Sequence, residues 1–484
     1  MGEMNIRKSV IWGVVWKFAE RIIAQVVSLV VTIIIARLLD PSDYGVVSIV
    51  TIYFAFANVI ISGGLNTALI QKKNADQDDY NTVFTISFAV SAIIYLLLYF
   101  TSPLIARIYN QPILVSVFRV LGLSLPIYAL KSVACAYISA NLQFKKFFFA
   151  TLGGTLVSAI VGIVMALNGF GAWALVAQQL TNTTIDTLIL FLVTKLKLSF
   201  IIATDRINGL LRYGYKILLS SLLGVTINQI NPLFIGLKYT SEDLSFYTKG
   251  VSFPETLSSS MTYTISAVLF PALSKYQDDK EELLRYTRLY MSLSSFVVFP
   301  VMLGFAGVAE NFVALFLGNK WIPTVYYIQI ACIAMMFDVI AAGNCETIKA
   351  MGRSDVFLSI EVVKKSGYVI TLLLFLLLTD SPRALALSLL VFTGIQVVTN
   401  SIPNRKLIGY KGSYQLIDLI PNLAISLTMF FAVSWVGQLT MDIAIKLVLQ
   451  IISGVIIYVV LALLTKNKAM KYALDMIRSR GKIV

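Results

Sequence analysis

Fourteen largely apolar stretches follow one another along the chain, at residues 9–36, 44–68, 82–101, 113–138, 148–167, 172–194, 213–237, 244–271, 290–309, 322–349, 357–378, 384–403, 416–437 and 443–464. A bilayer core about 30 Å thick is crossed by about 20 apolar residues in a helix. No water inside the bilayer can pair with the backbone, so a spanning segment must satisfy its own amides, as a helix does. A transmembrane barrel would instead alternate polar and apolar residues over short strands. The pattern predicts an all-α, polytopic membrane protein with about fourteen spans. Composition agrees: 58% of the 484 residues are hydrophobic and 13% charged, against about 45–50% and roughly 25% in soluble domains. A large soluble catalytic domain is excluded.

The first run is broken by Lys17, Glu20 and Arg21 and has no small-residue cleavage site, so it reads as a retained helix and not a removable signal. Connections are short and carry turn chemistry, as in Asp40-Pro41-Ser42-Asp43, Gly169-Phe170-Gly171 and Thr379-Asp380-Ser381-Pro382. The chain has no histidine, which removes imidazole zinc sites, serine–histidine nucleophiles and histidine proton relays. Cys135, Cys332 and Cys345 are widely spaced inside apolar stretches and read as small buried residues with no disulfide framework. No phosphate-binding GxxxxGK[ST] run occurs, so the chain is not expected to hydrolyse nucleotides.

The net charge of +14 is a matter of topology. With the amino terminus placed in the cytoplasm, cytoplasmic segments hold about 26 of the 39 basic residues and the opposite loops about five. Both termini are then cytoplasmic, and the excess charge faces anionic headgroups, not nucleic acid. The longest connection, 196–212, has a mixed polar and apolar pattern suited to a helix or loop in the interface. It is expected to join an N-terminal six-helix lobe, 1–195, to a second lobe, 213–403. Residues 404–484 then supply the last two spans and a basic tail. A weak echo supports two halves: Thr32–Arg37 with Asp43-Tyr44-Gly45, and Leu233–Leu237 with Phe246–Gly250.

Five stretches in order carry a family resemblance. Ala36-Arg-Leu-Leu-Asp-Pro-Ser-Asp-Tyr-Gly45, Gly169-Phe-Gly-Ala-Trp-Ala-Leu-Val176 with Gln178-Gln179, Val268-Leu-Phe-Pro-Ala-Leu-Ser274 with Gln277-Asp-Asp279, Leu317-Gly-Asn-Lys-Trp321 and Ala350-Met-Gly-Arg-Ser-Asp355 span about 320 residues. Together they resemble Wzx-type polysaccharide exporters, of the colanic-acid-exporter kind, in the multidrug/oligosaccharidyl-lipid/polysaccharide superfamily. That resemblance implies two six-helix lobes around a central cavity plus two C-terminal helices. It also implies a secondary transporter, not an enzyme, in the bacterial inner membrane. Its substrate would be an undecaprenyl-pyrophosphate-linked oligosaccharide, turned from the cytoplasmic to the outer leaflet by alternating access. Expected partners are that substrate, membrane lipids, and polysaccharide polymerase and export machinery. The alternatives are a cation-coupled multidrug exporter of the same fold, a lipid II flippase, or a membrane glycosyltransferase. The last would need a sizeable catalytic loop, which the sequence lacks.

Taking unpaired sugar hydroxyls through hydrocarbon costs a few kcal/mol each, so such a protein needs polar faces inside the membrane. In the first span Lys17, Arg21, Gln25, Ser28 and Thr32 fall on one helical face beside Glu20. The two cations suit a diphosphate, or else snorkel to headgroups. Ser220, Gly224, Asn228 and Asn231 form a second stripe, and Lys249, Ser252, Thr256, Ser260 and Tyr263 a third. Small residues at this spacing serve helix packing equally well. In the fourth span Arg119 is the cavity candidate, while Lys131 sits where it can snorkel. Lys17, Arg21, Gln25, Arg119, Asn228 and Lys249 are thus the substrate-binding candidates. Glu20, Asp186, Glu255 and Asp338 are the carboxylates able to couple transport to protons or sodium. No cofactor or metal is called for. The membrane potential is an alternative drive: moving about two negative charges outward gains roughly 4–5 kcal/mol per 100 mV. Glu346 and Lys349 read as a local pair, and Glu361, Lys364 and Lys365 as the start of the eleventh helix.

Overall fold

The computed structural model describes residue 16, residues 23–72 and residues 75–478. These are almost wholly helical: α1 (23–38), α2 (Pro41–Ser62), α3 (Leu65–Gln71), α4 (Gln77–Ile108), α5 (Ile113–Leu121), α6 (Ser124–Ala140), α7 (Phe144–Leu167), α8 (Ala172–Thr194), α9 (Thr204–Lys238), α10 (Ser241–Ser274) and α11 (Lys280–Phe312) come first. They are followed by α12 (Thr324–Met335), α13 (Asp338–Ala350), α14 (Ser354–Leu378), α15 (Pro382–Ala386), α16 (Ser388–Leu407), α17 (Gly412–Val436), α18 (Ile443–Leu464) and α19 (Lys468–Arg478). Each expected span from the second onward coincides with a helix, or with a helix broken once, as at α5/α6 and α12/α13, and the described part of the first, from residue 23, is helical. Ten are long and apolar enough to cross a membrane. The described part of α1 is shorter, and α8, α10 and α14 are more polar than a lipid-facing span. The protein is a multi-pass helical membrane protein.

The chain divides into two compact units, Met1–Ser245 and Phe246–Val484. In the first, α7 buries Ala150, Gly154, Ser158, Gly162 and Ala166, one small residue per turn, against α8. A Cβ on Gly154 would stand 2.9 Å from Asp186 Cβ, and one on Gly162 would stand 3.0 Å from Gln178 Cβ. The two backbones therefore approach closely, which is how small residues drive helix association without water to expel. A second core joins α3, α4, α6 and α9 through Leu69, Tyr80, Val83, Phe84, Val133 and Leu210.

The connection after α8 is a strap and not an independent linker. Residues 195–203 run extended along α4, whose polar side chains take the strap's backbone. Asn81 accepts from Ser199 N at 3.0 Å, Thr82 from Ala203 N at 3.0 Å, and Thr85 donates to Ile201 O at 3.1 Å. Phe200 packs on Phe84 and Phe88, and α9 begins at Thr204. Arg206 pairs with Asp76 and lies 3.5 Å from the buried Asp79, which Lys72 meets at 2.5 Å.

In the second unit α11 is the spine. Arg288 makes a two-pronged contact with Asp418 of α17, at 2.9 and 2.8 Å, and Tyr410 donates to the same carboxylate at 2.9 Å. Asn422 donates to Ser295 Oγ at 2.7 Å, Tyr458 to Phe296 O at 2.6 Å, and Asn311 to Gln450 at 2.9 Å. The eleventh helix begins at Ser354, so Glu361, Lys364 and Lys365 sit two to three turns inside it and do not mark its start. Glu346 and Lys349 pair locally at 2.6 Å, as expected.

The echo between halves is real in three dimensions, with a sharper register. Helix α1 ends at Leu38 and α9 at Lys238; α2 starts at Pro41 and α10 at Ser241. Asp40 N donates to Asp43 at 3.2 Å, and Thr240 N to Asp243 at 3.3 Å. Pro41, Tyr44, Gly45, Val46 and Val47 are buried, as are Ser241, Leu244, Ser245, Phe246 and Tyr247. Sequence matching had paired Gly45 with Gly250, whereas the helix turns pair it with Ser245.

Candidate functional site

Lys17, Glu20 and Arg21 lie outside the described residues. The rest of their stripe does not lie in a packed core: Gln25 and Thr32 are half-buried and Ser28 is exposed. On α9, Ser220 and Asn228 are exposed while Asn231 is buried. On α10, Ser252, Glu255, Thr256 and Tyr263 are exposed, and Lys249 is half-buried. A stripe used for packing would be covered, as on α7. Helices α9 and α10 instead keep polar faces open along lengths able to cross a membrane, and the described part of α1 shows the same open face. Their hydroxyls are tied to their own helix, for example Thr226 to Leu222 O at 2.8 Å and Thr256 to Ser252 O at 2.8 Å. A hydroxyl that donates in this way can still accept from a hydroxylated ligand.

Two charged centres mark the first unit. Arg119, half-buried on α5, lays its guanidinium 4.2 Å from the centre of the Tyr99 ring. Its Nε is buried with no hydrogen-bond partner among the described residues. A guanidinium backed by an aromatic face keeps its fork geometry for an anion. The second centre joins α6 and α8: Lys131 Nζ lies 2.5 Å from Asp186 Oδ2. Lys131 was expected to snorkel, but it is held by this carboxylate. Asp186 was expected to pair with a cation or titrate, and the cation is Lys131. Beside them Asn182 donates to Ser158 Oγ at 3.2 Å.

The second unit gives one predicted carboxylate, Asp338, donors from two other helices. Asp338, the first residue of α13, accepts from Ser258 Oγ of α10 at 3.2 Å and from Gln396 of α16 at 3.4 Å. Lys364, only 9% exposed, pairs with Glu361 one turn earlier, and Lys365 reaches the same group at 3.6 Å. Sequence reasoning missed Tyr99, Ser258, Gln396 and Lys364 as members of these centres. Ser258 lies off the exposed α10 stripe, and nothing local links Gln396 or Tyr99 to a charge on another helix. Among the described residues no group of three metal-ligating His, Cys, Asp or Glu side chains occurs.

Residues 34–326 match the model of a family described as polysaccharide biosynthesis protein. The chain belongs to this family. The succinoglycan biosynthesis transport protein ExoT of Rhizobium meliloti is 21% identical over 98% of this chain and 96% of its own length. The lipopolysaccharide biosynthesis protein WzxC of Escherichia coli is 21% identical over 75% and 74%, and the teichuronic acid biosynthesis protein TuaB of Bacillus subtilis 23% over 62% of each. Among solved structures, the lipid II flippase MurJ superposes with a TM-score of 0.72 at 15% identity, covering 93% of this chain and 98% of that one. An inward-facing multidrug transporter of the MATE family gives 0.63 at 14% identity, over 82% and 98%. This chain and these transporters thus share one fold.

Proposed function

We propose that this polysaccharide biosynthesis protein is a flippase that carries a lipid-linked oligosaccharide across the bacterial cytoplasmic membrane by alternating access, with both termini in the cytoplasm. One observation carries the reading: polar faces on α9 and α10, and on the described part of α1, stay open instead of being consumed in packing. A glycan rich in hydroxyls needs such a lining, while its polyprenyl tail stays among the lipids. Family membership over 34–326, and a relative along nearly the whole chain named for succinoglycan transport, support the same substrate class. Arg119 on Tyr99, together with Lys17, Arg21 and Lys249, supplies positive charge for the diphosphate. Gln25 and Asn228 supply polar contacts. Coupling, where an ion takes part, falls to carboxylates such as Glu20, Glu255 and Asp338; membrane potential acting on the diphosphate is the drive that needs none. Polysaccharide polymerase and export machinery are the partners such a step would feed.

The test is deletion of the gene in its host, with restoration from a plasmid. Lipid-linked repeat units should accumulate and surface polymer should vanish, both reversed by the wild-type copy and weakly or not at all by Arg119→Ala. Unchanged glycan with new sensitivity to toxic cations would replace this reading with drug export. Loss of cell-wall precursor turnover alone would point to lipid II.

A further inference from the structure

Helices α13 and α16 run parallel, and three amides on successive turns of α16 reach α13 in order. Gln396 donates to Asp338 at 3.4 Å, Asn400 to Ala341 O at 3.2 Å, and Asn404 to Asn344 O and Oδ1 at 3.1 and 2.8 Å. Asn344 and Ser401 both donate to Gln415 Oε1 of α17, at 3.4 and 2.8 Å. Asn400, Asn404 and Gln415 are only 1%, 0% and 5% exposed. Yet Asn400 Oδ1, Asn404 Oδ1 and Gln415 Nε2 have no hydrogen-bond partner among the described residues. Turning the amides end for end does not help. The NH2 groups of Asn400 and Asn404 already serve oxygens of α13, and a turned Gln415 would set its NH2 against that of Asn344. Buried polar atoms left over in this way are met by internal water. The mixture of atoms names the ligand. Two amide oxygens repel an anion and the Gln415 N–H groups repel a cation, whereas water donates and accepts at once.

This seam leads from a carboxylate to an exposed end of the unit. Asp338 and Asn344 are six residues apart on α13, about 9 Å, a distance that about three hydrogen-bonded waters bridge. Asn404 is followed by the exposed Arg405 and Lys406, and Gln415 stands four residues after the exposed Lys411. The titratable groups on the helices around Asp338 are Glu255 of α10, Tyr290 of α11, Cys332 of α12, and Glu361 and Lys364 of α14. Glu255 is exposed, Tyr290 donates to Val339 O at 3.0 Å, Cys332 is a buried thiol, and Glu361 and Lys364 pair with each other. The hydrogen-bond partners of Asp338 among the described residues are Ser258 and Gln396. We propose that the seam between α13 and α16 is a water-lined proton path joining Asp338 to the end of the unit that bears Arg405, Lys406 and Lys411. A proton relayed along the waters leaves each of them neutral and ends on the carboxylate, at a depth where a free charge is costly. The inference rests on the reading of Asp338 as a coupling carboxylate, and the topology proposed above puts the open end of the path in the cytoplasm.

The test follows the purified full-length protein in detergent by time-resolved infrared spectroscopy during pH titration and on mixing with D2O. The C=O stretch of protonated Asp338 is the band missing from Asp338→Asn. In the wild type it should grow in as pH falls from about 8 to 4 and shift to its deuterated position within the mixing time. Asn404→Leu, which fills the seam with hydrocarbon, should slow that shift by about tenfold or more. Asn404→Ala loses the same hydrogen bonds but leaves room for water, and should exchange as fast as the wild type. An amide with a merely structural role would make the two variants alike. Wild-type speed in Asn404→Leu overturns the proposal, as do equally slow Leu and Ala variants, or a wild-type Asp338 band that is missing across the titration or does not exchange. Should Asn404→Leu fail to fold by gel filtration, Gln415→Met closes the seam at its other end and is read in the same way. No glycan is present, so this inference and the flippase reading fail separately: the first on carboxyl exchange, the second on the lipid-linked repeat units of the deletion strain.

Discussion

Lys131 of α6 and Asp186 of α8 form an ion pair at 2.5 Å inside the first unit, with 27% and 7% of their side chains exposed. Removing one member leaves the other charged in an apolar setting, whereas removing both leaves only packing to repair. Lys131→Met or Asp186→Leu alone should cost roughly 2–4 kcal/mol, below the figure for a fully buried pair because Lys131 is partly exposed. The double variant should recover most of that loss. Melting of the purified proteins measures it, and a double variant as weak as the worse single one would show that the pair is not the coupling element.

Gly45 lies where a Cβ would meet the carbonyl oxygen of Ser241 at 1.9 Å, a backbone atom that cannot swing aside. Gly224, on the open face of α9, has nothing within 4 Å. Gly45→Ala should therefore push α2 from the start of α10, lower the yield of folded protein and abolish complementation. Gly224→Ala should stabilise by about 0.5–1 kcal/mol through lower backbone entropy. The pair of variants is read by thermal unfolding, and a tolerated Gly45→Ala contradicts the close approach.

Arg119 should tolerate loss of its fork less than loss of its aromatic backing. Arg119→Lys keeps the charge but not the planar five-donor group. Complementation should fall in the order wild type, Tyr99→Leu, Arg119→Lys, Arg119→Ala. Equal activity of Arg119→Lys and wild type would reduce the residue to a point charge.

The strap responds to acid. Arg206 beside Asp76 holds that carboxyl well below the usual carboxylate range. A lowered folded-state value means the stabilisation is complete above the unfolded value, about 3.9, and is lost as pH falls through the folded one. Protection of the Ser199 and Ala203 amides in hydrogen exchange, corrected for intrinsic rates, should be constant from pH 7 to 5 and erode below about pH 4. Asp76→Asn should show the released state at neutral pH, read as faster trypsin cleavage after Lys195 and Lys197. An unaltered cleavage pattern would mean that the α4 hydrogen bonds suffice.

Asp418 takes three donors, two from Arg288 and one from Tyr410. Asp418→Asn loses the charge and can accept only part of that set, and should cost about 2 kcal/mol or more. Tyr410→Phe, which removes one donor and leaves the ring, should cost about 1 kcal/mol. Chemical unfolding of the purified protein ranks them.

Much of the architecture was written along the chain. In lipid each span must pair its own backbone, so hydropathy locates it without reference to any partner, and the expected spans from the second onward coincide with helices. The family resemblance, too, rests on local runs such as Asp40–Gly45 and Gly169–Val176. The helix ends and their caps follow from short-range chemistry: Asp43 and Asp243 each take the amide three residues back because an acid at that offset can reach it.

Which polar residues pair with which was decided only in three dimensions. The α7 and α10 stripes look alike as spacings of four, yet one is covered by α8 and the other is open, because burial depends on the neighbouring helix. Lys131 and Asp186 lie 55 positions apart in the chain and touch only because α6 and α8 pack together. Asp338 gains Ser258 and Gln396 from two other helices. A charge in an apolar medium is stabilised by whatever reaches it within a few ångströms, and sequence distance says nothing about that reach.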